Sequence, residues 1–325
     1  MTHYAPLIAA LVTMLLAAIL LFSKAGKSMQ DIPNERSLHD TPVPRIGGMA
    51  VMAGILSAWA LMVMSWVWWI VLPLLLLFAI SILDDIRGLP VQQRLLAHIV
   101  AAIFLIIGSG AVAHSIMLGL LLVACVVWMT NLYNFMDGSD GLAGGMTFFG
   151  FTMYGVGSLM HGDEIQAMLN FSIGAAALGF LYYNFYPAKV FMGDAGSIPL
   201  GFLAAAMGLW GWQQGHWPAW FPLLVFSPFV MDATITLLKR TLRGEKIWHA
   251  HREHYYQRLV QLGWGHRNTA LLEFSLMFAA GASALVGLRY APSTPWLLLG
   301  VWGGVYAVLM LILDSYWKAK RGHVA

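Results

Sequence analysis

Three short motifs carry most of the reactive side chains of this 325-residue chain: Leu83-Asp84-Asp85, Asn131-Leu-Tyr-Asn134-Phe-Met-Asp137-Gly-Ser-Asp140-Gly141, and Phe191-Met-Gly-Asp194-Ala-Gly-Ser197. Each borders a long apolar run, where a carboxylate is costly and marks function by default. Gathered in one place, such carboxylates suit a divalent cation held against a phosphate. Asp84 and Asp85 end a hydrophobic run. On a helix they point about 100° apart, and acids at a helix C-terminus oppose its dipole, so a plain hydrophilic helix end is the weaker reading. Asn131, Asn134, Asp137 and Asp140 step by three, the spacing of one helical or 3₁₀ face. An Asx-rich turn is the alternative, but two Asp-Gly pairs between apolar runs exceed what a turn requires. Gly193-Asp194-Ala-Gly-Ser197 reads either as an anion cradle at a helix start or as an ordinary N-cap. His249-Ala-His251-Arg252-Glu-His254 offers donors for phosphate or sugar hydroxyls. It matches no common zinc spacing, and an interfacial amphipathic stretch is its bland reading. Asp232, inside an apolar run, supports the site or makes a polar contact between helices.

The elements that position these motifs are helices in a membrane. The chain is 59% hydrophobic and 10% charged, against about 25% charged in soluble domains. It reads as a single all-α, polytopic membrane domain with no soluble module. Spans of about 17–25 apolar residues are expected at 5–22, 46–64, 66–83, 95–111, 115–132, 144–160, 165–183, 197–212, 220–238, 269–287 and 295–313, eleven in all. Lys24 and Lys27 follow the first run and no basic residue precedes it, which favours an uncleaved first helix with its N-terminus outside. This topology puts seventeen of the eighteen Lys and Arg inside, leaving only Arg289 outside, as the positive-inside rule requires. The segments 23–45, 84–94, 131–143, 184–196 and 239–268 then share the inner face and are expected to build one active site. Cys125 lies in an apolar run and reads as filler. No nucleic-acid partner is expected.

In the order and spacing of its motifs the chain resembles the polyprenyl-phosphate N-acetylhexosamine-1-phosphate transferases, glycosyltransferase family 4. The resemblance runs from Ser37 to Arg267 and rests on His39-Asp-Thr-Pro-Val-Pro-Arg45-Ile-Gly-Gly48, Asp84-Asp85, Asn131 to Gly141, and Pro187-Ala-Lys189-Val-Phe191-Met-Gly-Asp194-Ala-Gly-Ser197. It implies transfer of a sugar 1-phosphate from a UDP-N-acetylhexosamine to undecaprenyl phosphate, releasing UMP, at the cytoplasmic face of a bacterial inner membrane. Mg²⁺ is the implied cofactor, with Mn²⁺ as substitute. By motif match Asp194 is the metal ligand, Asp84 and Asp85 lie near the lipid phosphate, and Asp137, Asp140 and Asn134 complete the polar site. Asn184 and Phe191 fall where the uridine is contacted, and Lys189 where phosphate is. Arg45, His249, His251, Arg252 and His254 are implied substrate contacts, and a homodimer is compatible with the family. A phosphate is largely ionised at pH 7, its second pKa being about 6, so direct attack is favoured over an aspartyl-phosphate intermediate.

The histidine segment is less continuous than in the peptidoglycan and enterobacterial N-acetylglucosamine branches. It is more similar to transferases that begin O-antigen or other surface polysaccharides, some using 6-deoxy sugars. The donor is therefore expected to carry GlcNAc or a 6-deoxy-HexNAc. The alternatives are a phospho-MurNAc-pentapeptide transferase, a CDP-alcohol phosphatidyltransferase, whose Ala-Arg after Asp-Gly is missing here, and a transporter. A transporter would place its charges near the midplane and often show internal repeats.

Overall fold

The computed structural model describes residues 2–33, 37–62, 67–111, 115–246 and 251–322. A 3₁₀ turn, Thr2–Tyr4, leads into α1 (Ala5–Phe22), followed by α2 (Lys24–Ser28). Strands β1 (Gln30–Asp31) and β2 (Val43–Pro44) pair antiparallel. Then come α3 (Gly47–Leu61), α4 (Trp68–Arg87), α5 (Val91–Gly108), α6 (Ile116–Phe135), α7 (Leu142–Met160), α8 (Glu164–Asn184) and α9 (Asp194–Gln213). The chain closes with α10 (Trp220–Val225), α11 (Ser227–Leu242), α12 (Tyr255–Leu259), α13 (Gly265–Tyr290) and α14 (Trp296–Gly322). Among the described residues, eight helices are long and apolar enough to cross a membrane. The other three expected spans are helical but different: α3 has only 15 residues, α7 is rich in glycine, and 220–242 is broken at Phe226 into α10 and α11.

The packing follows from lipid as the solvent. With hydrocarbon outside, large apolar side chains gain nothing by turning inward, and small residues let helices approach. On α1 the outward row is Leu7, Leu11, Leu15 and Ile19, all exposed, and the inward row is Ala5, Ala9, Thr13 and Ala17, all buried. That inward row meets glycine: a Cβ on Gly54 of α3 would fall 2.5 Å from the Ala9 carbonyl. Helix α9 forms the centre, with 83% of its spanning window buried, and α14 the periphery, with 11%.

The ends of the helices alternate. The α4–α5, α6–α7 and α8–α9 connections meet β1–β2, the start of α3, the end of α11, α12 and the start of α13 at one pole. Asp163, which caps α8 by accepting from the Gln166 N–H at 2.8 Å, belongs to the opposite pole. The three acidic motifs therefore share one end of the bundle.

Candidate active site

Asp84 and Asp85 fall in the last turn of α4, which ends at Gly88 with φ +66°. Asp84 accepts from the Leu89 N–H at 2.6 Å and from Arg94 Nη1 at 3.1 Å. The same Arg94 Nη1 donates to Asp194 Oδ2 at 3.2 Å. One guanidinium in the first turn of α5 thus ties the α4 acid to the α9 acid. Asp85 does something else. Its two oxygens accept from the Asp194 and Ala195 N–H groups at 3.1 and 2.9 Å. It fills, from within the protein, the anion cradle expected at the start of α9. Gly193, at φ +71°, permits this approach: a Cβ there would lie 3.0 Å from Asp85 Oδ2.

The 131–140 motif does not persist as one face. Asn131 and Asn134 lie in α6, whereas Asp137 and Asp140 follow its end, because the helix stops at Met136. Asn131 turns its amide back to the Val127 carbonyl at 2.7 Å. Asn134 Nδ2 donates to Asp194 Oδ1 at 2.8 Å and lies 2.9 Å from the Ser197 hydroxyl. Asp140 is buried and accepts from the Ala188 N–H at 2.9 Å, with His266 Nδ1 at 3.6 Å. Asp137 accepts no hydrogen bond from any described residue. It opens partly to the cleft from a deep position; dehydration first, then the charges of Asp194 and Asp85, push its carboxyl well above the usual range.

These residues line a cleft of about 1180 Å³, larger than the roughly 300–1,000 Å³ of common ligand sites. Its walls take residues from all five segments expected at the inner face. Arg45 pairs with Asp31 across the cleft mouth, and the Phe191 backbone locks onto Pro44 and Gly47 (2.8 and 2.9 Å). Asn184 lines the cleft, but its amide is committed: Oδ1 accepts from the Gly141 N–H at 3.0 Å and Nδ2 donates to the Val190 carbonyl at 2.9 Å. His251 and His254 are in the wall. Lys189 is exposed and outside the cleft wall, as is Arg252, which donates to the Ser37 carbonyl at 3.3 Å. His249 lies outside the described residues.

Several contributors escaped sequence reasoning. Arg94 had a signal: a cation in the first turn of a helix opposes the dipole just as Asp84 does at the end of α4, and the two misplaced charges pair. His266 had none in the sequence; it contacts the Ser139 hydroxyl at 2.9 Å and the Leu38 carbonyl at 3.1 Å. The Gly47-Gly48 pair proves to be a packing device, since a Cβ on Gly48 would fall 2.2 Å from the Gly196 nitrogen.

The donor set bears on a metal. No three described His, Cys, Asp or Glu side chains form a ready-made metal shell. Asp84, Asp137 and Asp194 nevertheless line one cleft. That composition fits Mg²⁺, which typically takes one or two carboxylates and completes its octahedron with water and substrate phosphate. It does not fit a closed zinc site.

Comparison with known proteins agrees with the geometry. The model of glycosyl transferase family 4 matches residues 67–211, from α4 through most of α9. A probable undecaprenyl-phosphate N-acetylglucosaminyl 1-phosphate transferase of Bacillus subtilis is 29% identical over 301 residues, covering 87% of this chain and 81% of that protein. A decaprenyl-phosphate N-acetylglucosaminephosphotransferase of Mycobacterium tuberculosis is 30% identical over 339 residues, covering 88% and 83%. A phospho-N-acetylmuramoyl-pentapeptide-transferase of Staphylococcus aureus is 27% identical over 336 residues, covering 92% and 98%. Motif order, a multi-pass helical bundle and near full-length similarity converge: the chain belongs to the polyprenyl-phosphate N-acetylhexosamine-1-phosphate transferases of glycosyl transferase family 4 and is a sugar-phosphate transferase of the membrane.

Proposed function

We propose that the protein transfers N-acetylhexosamine 1-phosphate, carrying GlcNAc or a 6-deoxy-HexNAc, from a UDP-sugar to undecaprenyl phosphate. It would act at the cytoplasmic face of a bacterial inner membrane and begin O-antigen or another surface polysaccharide. The observation that carries this reading is the pairing of two environments in one cleft. Asp84, Asp137, Asp194 and Arg94 form the polar floor, and Val91 and Leu95 of α5 with Ala124 and Val127 of α6 form an apolar flank. Val91, Leu95 and Ala124 are exposed on the bundle surface, so this flank opens sideways toward lipid, where an isoprenoid chain can lie with its phosphate at Arg94. Eleven crossings with the polar pole inside are the topology that the alternating helix ends and the seventeen inward basic residues support.

The chemistry needs positioning and charge neutralisation more than covalent help. An oxygen of the lipid phosphate attacks the β-phosphorus of the UDP-sugar. The new P–O bond forms as the bond from that phosphorus to the bridging oxygen breaks, and the electron pair leaves on UMP. Arg94 orients the acceptor phosphate, Asp85 holds the start of α9 in place, and Asn134 fixes the Asp194 carboxylate. Asp194 with Asp84 or Asp137 would hold Mg²⁺ or Mn²⁺, which would supply charge neutralisation on the diphosphate.

The test is UMP release from a panel of UDP-N-acetylhexosamines by purified protein with undecaprenyl phosphate and Mg²⁺, UDP-MurNAc-pentapeptide included. Release with a simple UDP-N-acetylhexosamine, abolished by EDTA and by Asp194→Ala, is expected. Release with the pentapeptide donor alone would instead assign the peptidoglycan step.

A further inference from the structure

What holds Asp137 in place lies outside its own motif. The helix that leads to it, α6, stops at Phe135, and the last four carbonyls of a helix lack intrahelical partners. The Phe135 carbonyl finds a partner in the Tyr256 hydroxyl of α12, which donates to it at 3.0 Å. The same hydroxyl shapes the chain on the far side of Asp137. Gly138 has no positive φ, so its backbone would accept a side chain. What excludes one is Tyr256, since a Cβ there would collide with the hydroxyl oxygen and lie 3.3 Å from Cζ. One side chain thus brackets Asp137, bonded two residues before it and packed against the residue after it. Tyr256 is itself fixed. It is fully buried, its N–H donates to Asp232 Oδ2 at 2.9 Å, and its ring is nearly parallel to that of His254 (centroids 5.9 Å, 18°). With no described donor on the Asp137 carboxylate, the course of its backbone decides where that group stands in the cleft.

We propose that Tyr256 is a positioning residue for the transfer reaction. By holding the Phe135 carbonyl and filling the space beside Gly138, it sets where the Asp137 carboxylate stands. It acts through the turn that carries the acid rather than on the substrate. A group misplaced by about 1 Å can cost a hundredfold in rate even when the change lies away from the chemistry. The inference rests on the proposed transfer of sugar phosphate. The competing explanation is that Tyr256 only fills the space between α6, α11 and α12.

The experiment compares UMP release and thermal unfolding in detergent, with and without Mg²⁺, for the wild type, Tyr256→Phe, Asp137→Asn and the Asp137→Asn/Tyr256→Phe double variant. Phe keeps the ring and removes only the hydrogen bond to the Phe135 carbonyl. The proposal expects Tyr256→Phe to lower kcat about tenfold or more, with KM for the UDP-sugar within about threefold. In the Asp137→Asn background the same change should cost less than about threefold, since residues acting as one unit are not additive. The rise in Tm on adding Mg²⁺ should shrink in Tyr256→Phe, as it does in Asp137→Asn. A Tyr256→Phe protein that unfolds at lower temperature but keeps kcat within about twofold and the full Mg²⁺ response overturns the proposal, as does a loss of the same size in both backgrounds. Should Tyr256→Phe fail to fold, Gly138→Ala decides. Crowding the hydroxyl off the Phe135 carbonyl is expected to lower kcat about tenfold, and kcat within about twofold of the wild type overturns the proposal. Absence of wild-type turnover with every donor would defeat the transfer reading; wild-type turnover beside an unaffected Tyr256→Phe defeats this inference alone.

Discussion

Asp137 and Asp140 share one motif and part company in the fold. Asp140 spends its oxygens on the Ala188 N–H and on His266, whereas Asp137 holds no described partner and opens to the cleft. Asp140→Asn keeps an acceptor for the Ala188 N–H and is expected to retain kcat within about tenfold, while Asp137→Asn loses about a hundredfold or more, the scale of removing a charge-stabilising group; steady-state UMP release measures both. The raised Asp137 carboxyl also makes a pH prediction. The folded protein binds that proton more tightly than the unfolded chain, so its contribution to stability is full below the ordinary carboxylate pKa of about 4 and is lost as pH rises through the raised value. A divalent cation offsets the charge left behind. The rise in Tm on adding Mg²⁺ should therefore be larger at about pH 8 than at about pH 5, and Asp137→Asn should flatten the difference. At this scale the sequence marked the acids but not their division of labour. Asp85 and Asp140 read like Asp84 and Asp137 until the fold brings a distant backbone N–H to each, from residues 109–110 and 48 positions away, whereas the N–H that Asp84 accepts comes from Leu89 beside it.

The helices were legible because apolar length in a bilayer leaves little choice, and the discrepancies have local causes. The fourth expected span, α5, begins at Val91 rather than 95 because Gln92, Gln93 and Arg94 are good helix formers and Pro90, just before the helix, cannot lie inside it. The break at Phe226 follows from Pro228, whose ring and missing N–H cannot continue α10 into α11. What hydropathy cannot encode is which glycines carry close approach. Gly48 of α3 and Gly196 of α9 meet backbone to backbone, and this contact seats the Asp194 turn against the Arg45 segment. Gly48→Ala is expected to cost about 2–3 kcal/mol, in the range of overpacking a tight core, and to lower activity with stability. Gly304→Ala on α14, where a new Cβ meets nothing within 4 Å, should be neutral or slightly stabilising, by up to about 1 kcal/mol. Thermal unfolding in detergent distinguishes the two.

For the molecule as a whole, one pole carries the cleft, with Arg45, Arg94, His251, His254 and His266 in its wall. The other carries Asp163 and His216, whose imidazole lies 3.6 Å from the Asp163 carboxylate. The expected charge asymmetry needs only a count along the chain; the shape of the cleft could not be read that way, because its lining runs from Asp31 to His266 and draws on helix walls as well as on the five connecting segments. In a Cys125→Ser background, Glu164→Cys should react with an impermeant maleimide in intact cells, and Lys246→Cys only after permeabilisation. The reverse pattern would turn the molecule over.

The most direct measurement follows the phosphorus. With the UDP-sugar that supports turnover labelled at its β-phosphate, the label should leave the aqueous phase and appear in an acid-labile lipid diphosphate, with unlabelled UMP released in equal amount. Label retained in water-soluble UDP, with the sugar alone passing to the lipid, would contradict sugar-phosphate transfer and with it the roles assigned to Asp84, Asp137, Asp194 and Arg94.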